Sequence, residues 1–281
     1  MNNKNMAIAI VAILIVAVVG VGVYTFYGNN SDDDSNTMTF LIQDDEGVYF
    51  WIKGEGDNGY TAFGNACETY GIEHEISNNG SYGGSIDSVF GMGTVQTEGP
   101  SEDNEYGIYI YWNQYSFVNG NWKMNDVSID QVKTSEVKFM AIVYTDSYVE
   151  PLVKPSDAKI WDQSTEGTVF TITSPSGMNF KVNGIGTMVM DAFIDATSAY
   201  KIPFEPSIYQ GEKSGIDSLF GIETSQVTPP SEDNPYGEYV WWTQMVPEEG
   251  GEGWVMSPLG MNLLKTSEYG SILIIYGTGS M

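Results

Sequence analysis

Hydrophobic and polar positions along the chain change period several times, and each change marks an element. Met6 to Phe26 is an uncharged apolar run of 21 residues, which as a helix would span about 30 Å, the apolar thickness of a bilayer. The run is too long for a signal-peptide core and no Ala-x-Ala site follows it, so it predicts a single-pass N-terminal transmembrane helix. Gly28 to Asn36 is polar, without periodicity, and reads as an acidic stalk. Thr37–Ile42 and Val48–Lys53 are β-rich runs either side of Asp44-Asp45-Glu46-Gly47, a hairpin signature. Tyr60 to Tyr70 then has helical spacing and stops at Gly71. After a stretch rich in Gly, Ser and Asn come an aromatic strand, Ile108-Tyr109-Ile110-Tyr111-Trp112, a short strand bearing Trp122 and a closing run, Val137 to Tyr144.

The same order then recurs. Thr168–Thr173 and Met178–Asn183 flank Ser174-Pro175-Ser176-Gly177, and Thr187 is expected to cap a helix with apolar residues at Val189, Ala192, Phe193 and Ala196. Glu238-Tyr239-Val240-Trp241-Trp242, a strand with Trp254 and Ser271 to Tyr276 complete the second set. The register is nearly constant. An offset of 130 carries Ser85-Ile86-Asp87-Ser88-Val89-Phe90-Gly91 onto residues 215–221 and Pro100-Ser101-Glu102-Asp103-Asn104-Glu105-Tyr106-Gly107 onto residues 230–237. After a two-residue insertion the offset is 132, and it pairs Lys133-Thr134-Ser135-Glu136 with residues 265–268. This is a tandem duplication. The expected division is an anchor over 1–27, a stalk over 28–36, repeat domains over 37–147 and 167–281, and a Pro-bearing linker over 148–166. One helix among several strands per repeat predicts an α+β class, each domain a twisted antiparallel sheet with one packed helix, similar to a β-grasp.

Charge narrows the partners. Eleven bases, all lysine, face 37 acids, for a formal net charge of −26. The absence of arginine and the acidity argue against nucleic acid as a partner. Lys4 before the apolar run and Asp32-Asp33-Asp34 after it place the repeats outside a cell membrane spanned by residues 6–26. Cys67 and His74 are single in the chain, and their counterparts are Thr197 and Phe204. No intrachain disulfide or shared His/Cys zinc set can form.

Gly186-Thr187-Met188-Val189-Met190-Asp191-Ala192-Phe193, Gly215 to Gly221, Trp242 and Ile274-Ile275-Tyr276, with Val118-Asn119-Gly120 and Trp122 in the first copy, carry a resemblance. The order resembles the domain of unknown function similar to the C-terminal β domain of transcobalamin and intrinsic factor, here in tandem. The resemblance implies an extracytoplasmic binding or architectural module and, as a cofactor, a cobalamin or related corrinoid.

The candidate ligand-binding residues are aromatic: Trp112, Trp122, Trp242, Trp254, Tyr106, Tyr236, Tyr111 and Trp241. Exposed on a strand, such rings stack on sugars or a flat macrocycle and anchor interfaces; turned inward, they fill a core. Trp241 and Trp242 are adjacent and must face opposite sides of their strand. Glu102-Asp103-Asn104-Glu105 and Glu232-Asp233-Asn234 offer oxygens for Ca²⁺, or else form Asx turns without metal. No shared histidine can activate Ser88 or Ser218, and no carboxylate pair stands out, so an enzyme is not expected. The expected function is non-catalytic capture of an extracellular ligand, a corrinoid or a surface glycan. The alternative is a structural or adhesive surface protein that assembles through sheet edges and aromatic patches.

Overall fold

A computed structural model describes residues 36–78, 83–102, 104–146, 149–161, 166–231, 234–235, 237–250 and 253–278. The first half runs β1 (Thr37–Gln43), β2 (Tyr49–Glu55), α1 (Gly59–Tyr70), β3 (His74–Asn78), β4 (Gly84–Val89), β5 (Met92–Gly93), β6 (Val95–Glu98), β7 (Ile108–Val118), β8 (Asn121–Met124) and β9 (Phe139–Thr145). The second half repeats it as β10 (Thr168–Thr173), β11 (Asn179–Gly184), α2 (Val189–Ala199), β12 (Phe204–Tyr209), β13 (Glu212–Leu219), β14 (Ile222–Glu223), β15 (Ser225–Thr228), β16 (Glu238–Pro247), β17 (Trp254–Met256) and β18 (Ser271–Thr278). Each half holds one larger sheet, in the orders β2-β1-β9-β7-β6 and β11-β10-β18-β16-β15, and one three-stranded sheet.

Close approach of helix to sheet is set by paired glycines. A Cβ on Gly54 would run into the Ala62 carbonyl of α1, and one on Gly184 into the Ala192 carbonyl of α2. Small residues at both sides of the contact let the helix lie directly on the strand. Asn58 caps α1 by accepting the Thr61 N–H at 2.9 Å. The repeated Lys-Thr-Ser-Glu stretch fastens the same region: the Thr134 and Thr266 hydroxyls donate to the Gly56 and Gly186 carbonyls, each at 2.7 Å. Its ion pairs, Lys133–Glu136 and Lys265–Glu268, are exposed and contribute little.

The repeated Ile-Asp-Ser-x-Phe-Gly element is a hairpin. Phe90-Gly91 and Phe220-Gly221 are its two-residue turns, and all four residues have φ between 55° and 80°. Both central residues of a type I′ turn need positive φ, which a phenylalanine adopts only under strain. Packing holds it there. Phe90 meets Phe50 edge-on at 5.8 Å, and Phe220 meets Phe180 at 5.9 Å and Tyr49 at 5.5 Å.

Those rings join the halves. Phe50 and Phe180, counterparts in the repeat, lie stacked at 4.9 Å with planes 4° apart. Burying each ring contributes about 2–3 kcal/mol, and the pairing adds about 1 kcal/mol. The Tyr49 hydroxyl donates to the Lys201 carbonyl at 2.7 Å, and the two β-hairpin turns touch where Ser176 donates to Asp44. Residues 36–281 accordingly form one compact unit. The segment between the repeats belongs to this body as a strap on the first half. Its Leu152 N–H donates to Gln43 Oε1 at 2.9 Å, its Val153 carbonyl accepts the Trp122 indole at 2.8 Å, and its Trp161 N–H donates to the Trp51 carbonyl at 2.8 Å.

The α+β expectation is corrected. Strand makes up 49% and helix 13% of the described structure, because aromatic and β-branched runs fill both halves while only Gly59–Tyr70 and Val189–Ala199 keep α-helical spacing. The larger sheets are mixed rather than antiparallel: β1 runs parallel to β9, and β10 to β18. The closing strands are central, and in β9 both faces are buried, so alternation could not reveal their direction. Thr187 is not the cap of α2; Met188 holds that position without a side-chain bond. No described helix is long and apolar enough to cross a membrane, and the span expected over residues 6–26 lies outside the described residues.

Gly54→Ala and Gly184→Ala are each expected to destabilise the protein by about 2–3 kcal/mol. Each should shift one cooperative urea transition, followed alike by Trp fluorescence and far-UV circular dichroism. Two separated transitions would show that the halves unfold independently.

Candidate functional site

Alternation along β7 and β16 decides which aromatics face solvent. Trp112 (4% exposed) and Trp242 (2%) point into the core, where their indoles donate to the Met92 and Ile222 carbonyls at 2.7 and 2.8 Å. Tyr144 and Tyr276 lie against them, with ring centroids 4.9 and 5.2 Å away, and donate to the Gly93 and Glu223 carbonyls, both at 2.8 Å. These four residues tie the Phe-Gly hairpin to the large sheet in each half. Their repetition serves the fold: Trp112, Trp242 and Tyr144 are buried and Tyr276 is half-buried.

Trp122 is also buried, at 6% exposure, beneath the strap and against Phe117 and Trp51. Its counterpart Trp254 is 37% exposed. Tyr106 stands 76% exposed at a loop tip, and Tyr236 lies outside the described residues. Tyr111 is 41% exposed, and Trp241 is half-buried on the face of β16 opposite Trp242.

The structure adds two residues to this set. Tyr109, 39% exposed, precedes Tyr111 on the same face of β7, and Tyr239, half-buried, precedes Trp241 on the same face of β16. Same-face neighbours stand about 7 Å apart along a strand, so each half presents a pair of rings on its outer sheet face. The signal was present in Ile108-Tyr109-Ile110-Tyr111, where every second residue is a tyrosine. The Tyr239 hydroxyl accepts from Gln226 Nε2 at 2.9 Å, which orients that ring.

The acidic loops weighed as Ca²⁺ ligands or as Asx turns form turns in their described parts. Asn104 Oδ1 accepts the Tyr106 N–H at 3.2 Å, Asn104 Nδ2 donates to the Gly107 carbonyl at 2.9 Å, and the Ser101 and Ser231 hydroxyls accept the Asn104 and Asn234 N–H groups at 3.1 Å. Asp103, Glu232 and Asp233 lie outside the described residues. Acids do converge elsewhere: carboxylate oxygens of Asp44, Asp45 and Glu46 lie within 4.8 Å of one another in the β1–β2 turn. Only Asp44 of the three is buried. It accepts the Val48 N–H at 2.7 Å and the Ser176 hydroxyl, and its counterpart Ser174 accepts the Met178 N–H at 3.1 Å in the same way. Asp44 is therefore a turn cap that reaches into the other half. Burial raises its pKa above the usual carboxylate value, although the hydrogen bonds from Ser176 and Val48 oppose the shift.

Glu46 keeps an exposed side, yet partial desolvation between the turns, then repulsion from Asp45 and Asp44, raises its pKa from 4.5 to about 7. Such a carboxyl binds its proton more tightly in the folded state. Its contribution is present below about pH 4.5 and is lost as the pH rises to about 7. Burial pushes the Cys67 thiol far above its ordinary value, which leaves it unreactive.

Glu46→Gln should therefore raise the melting temperature relative to the unaltered chain by an amount that grows from pH 4.5 to 7 and then levels off. A difference independent of pH, measured by thermal denaturation across that range, would show that Glu46 titrates normally. No protein-family model and no curated protein matches the chain.

Proposed function

We propose that this is a non-catalytic binding protein whose two halves each present a ring pair, Tyr109–Tyr111 and Tyr239–Trp241, to a saccharide chain. The supporting observation is that these rings stay accessible at counterpart positions in both halves, whereas the equally duplicated Trp112 and Trp242 are spent on the core. Accessible ring surfaces about 7 Å apart along β7 and β16 suit an extended ligand with repeated apolar faces. A formal charge of −26 repels polyanions, so a neutral saccharide fits best.

Three other readings are weaker. A corrinoid held between the halves has no seat at the joint, where Phe50, Phe90, Phe180 and Phe220 fill the space with ring contacts. Assembly through the outer edges β6 and β15 is opposed by their form. Each is four residues long, carries a register irregularity and precedes a proline-bearing loop, all devices that discourage edge pairing. For catalysis, the acidic turn lacks a second buried carboxyl beside Asp44.

Titration of the full chain with neutral polysaccharides is expected to give saturable quenching of Trp fluorescence. Tyr111→Ala and Trp241→Ala should each weaken binding by about tenfold, with the double variant losing it. Equal binding by the folded double variant, or none by the unaltered chain, would overturn the saccharide reading.

A further inference from the structure

The two halves differ most on the outer faces of their large sheets. In the first half the part of this face formed by β1, β2 and β9 is closed: Leu41, Trp51, Ala141 and Val143 are at most 1% exposed. The strap covers it, with Pro151 and Pro155 buried and Val153 packed against the core, while Trp161 at its end packs on the other side of β2, against Phe50 and Tyr70. Three main-chain groups of the strap bond to Gln43, Trp122 and Trp51.

The counterparts of those four covered positions are Thr171, Lys181, Leu273 and Ile275, none of which is buried. Trp254, where the strap's Val153 carbonyl would be expected, is exposed, and no described residue accepts a hydrogen bond from its indole. Met256, which shares its side of β17, is also exposed and pairs with the half-buried Met245 of β16. The second half thus keeps the sheet and the indole of a strap-bound face while no described segment of the chain lies on it.

We infer that the outer face of the second half is a docking site for an extended, proline-containing apolar strap supplied by another polypeptide, with an acidic residue opposite Lys181. The first half shows what such an occupant does. It lays apolar side chains on the sheet, accepts the indole N–H through a main-chain carbonyl and meets the outer edge of the hairpin, where Ile160 bridges to Trp51. One feature of the occupant must differ, because Lys181 replaces Trp51. A lysine beneath an apolar strap would leave a desolvated charge, and a carboxylate in place of Ile160 compensates it. Leucine and isoleucine at 273 and 275, larger than or equal to Ala141 and Val143, retain the apolar floor.

This inference goes beyond saccharide binding and is tested separately from it. The probes are two fluorescein-labelled peptides, one with the sequence of residues 149–161 and one carrying Ile160→Glu, followed by anisotropy against the full-length chain. Both should bind saturably, the Ile160→Glu peptide more tightly at low salt. Trp254→Ala and Met256→Ser, each checked for native circular dichroism, should weaken binding by about tenfold or more, while Tyr111→Ala should leave it unchanged. Absence of saturable binding by both peptides overturns the inference. So does binding that survives Trp254→Ala and Met256→Ser, which would mean that the peptide displaces the strap of the first half. Equal affinity of the two peptides overturns the acidic requirement at Lys181.

Discussion

The fold depends on one contact in which a residue meets its own counterpart: Phe50 of β2 lies flat on Phe180 of β11. Surfaces that join counterpart to counterpart are the signature of isologous interfaces between identical subunits, and here such an interface sits inside a single chain. It explains why both halves keep a phenylalanine in a left-handed turn. Phe90 and Phe220 are held at positive φ because their rings close the sides of the stack. It also explains the acid at the top of the joint, where Asp44 caps its own turn and takes a hydroxyl from the opposite one.

Duplication by itself does not mark function in this chain. The most faithfully repeated stretches are fasteners: Lys-Thr-Ser-Glu pins the start of each helix, Phe-Gly makes each strained turn, and Trp112 and Trp242 anchor each return strand. What remains for recognition lies where the halves expose side chains. The ring pairs on β7 and β16 are at least partly accessible in both halves, and the sheet face that no described segment covers belongs to the second half.

Local features were legible in the sequence. The register of the repeat, the first hairpin, the glycine stop after Tyr70 and the opposite faces of Trp241 and Trp242 all follow from periodicity or turn chemistry within a few residues. Non-local ones were not. Nothing in Phe50 or Phe180 says that they touch across 130 positions, and a closing strand buried on both faces carries no mark of its parallel pairing. Pro151 and Pro155 suit a linker and a strap alike; only the hydrogen bonds to Gln43, Trp122 and Trp51 distinguish the two. The exposure of Trp254 against the burial of Trp122 follows from that cover rather than from either residue's neighbours in sequence.

The stacked phenylalanines have a consequence for how such a chain can diverge. Two separate subunits associating through this surface would be held by mass action, and every change on one would appear on the other. Joining them in one chain makes their association intramolecular, so it no longer weakens on dilution. Fusion also ends the obligation of sameness. Trp51 can stay a tryptophan under its strap while position 181 becomes a lysine, and one ancestral surface is free to acquire two destinies.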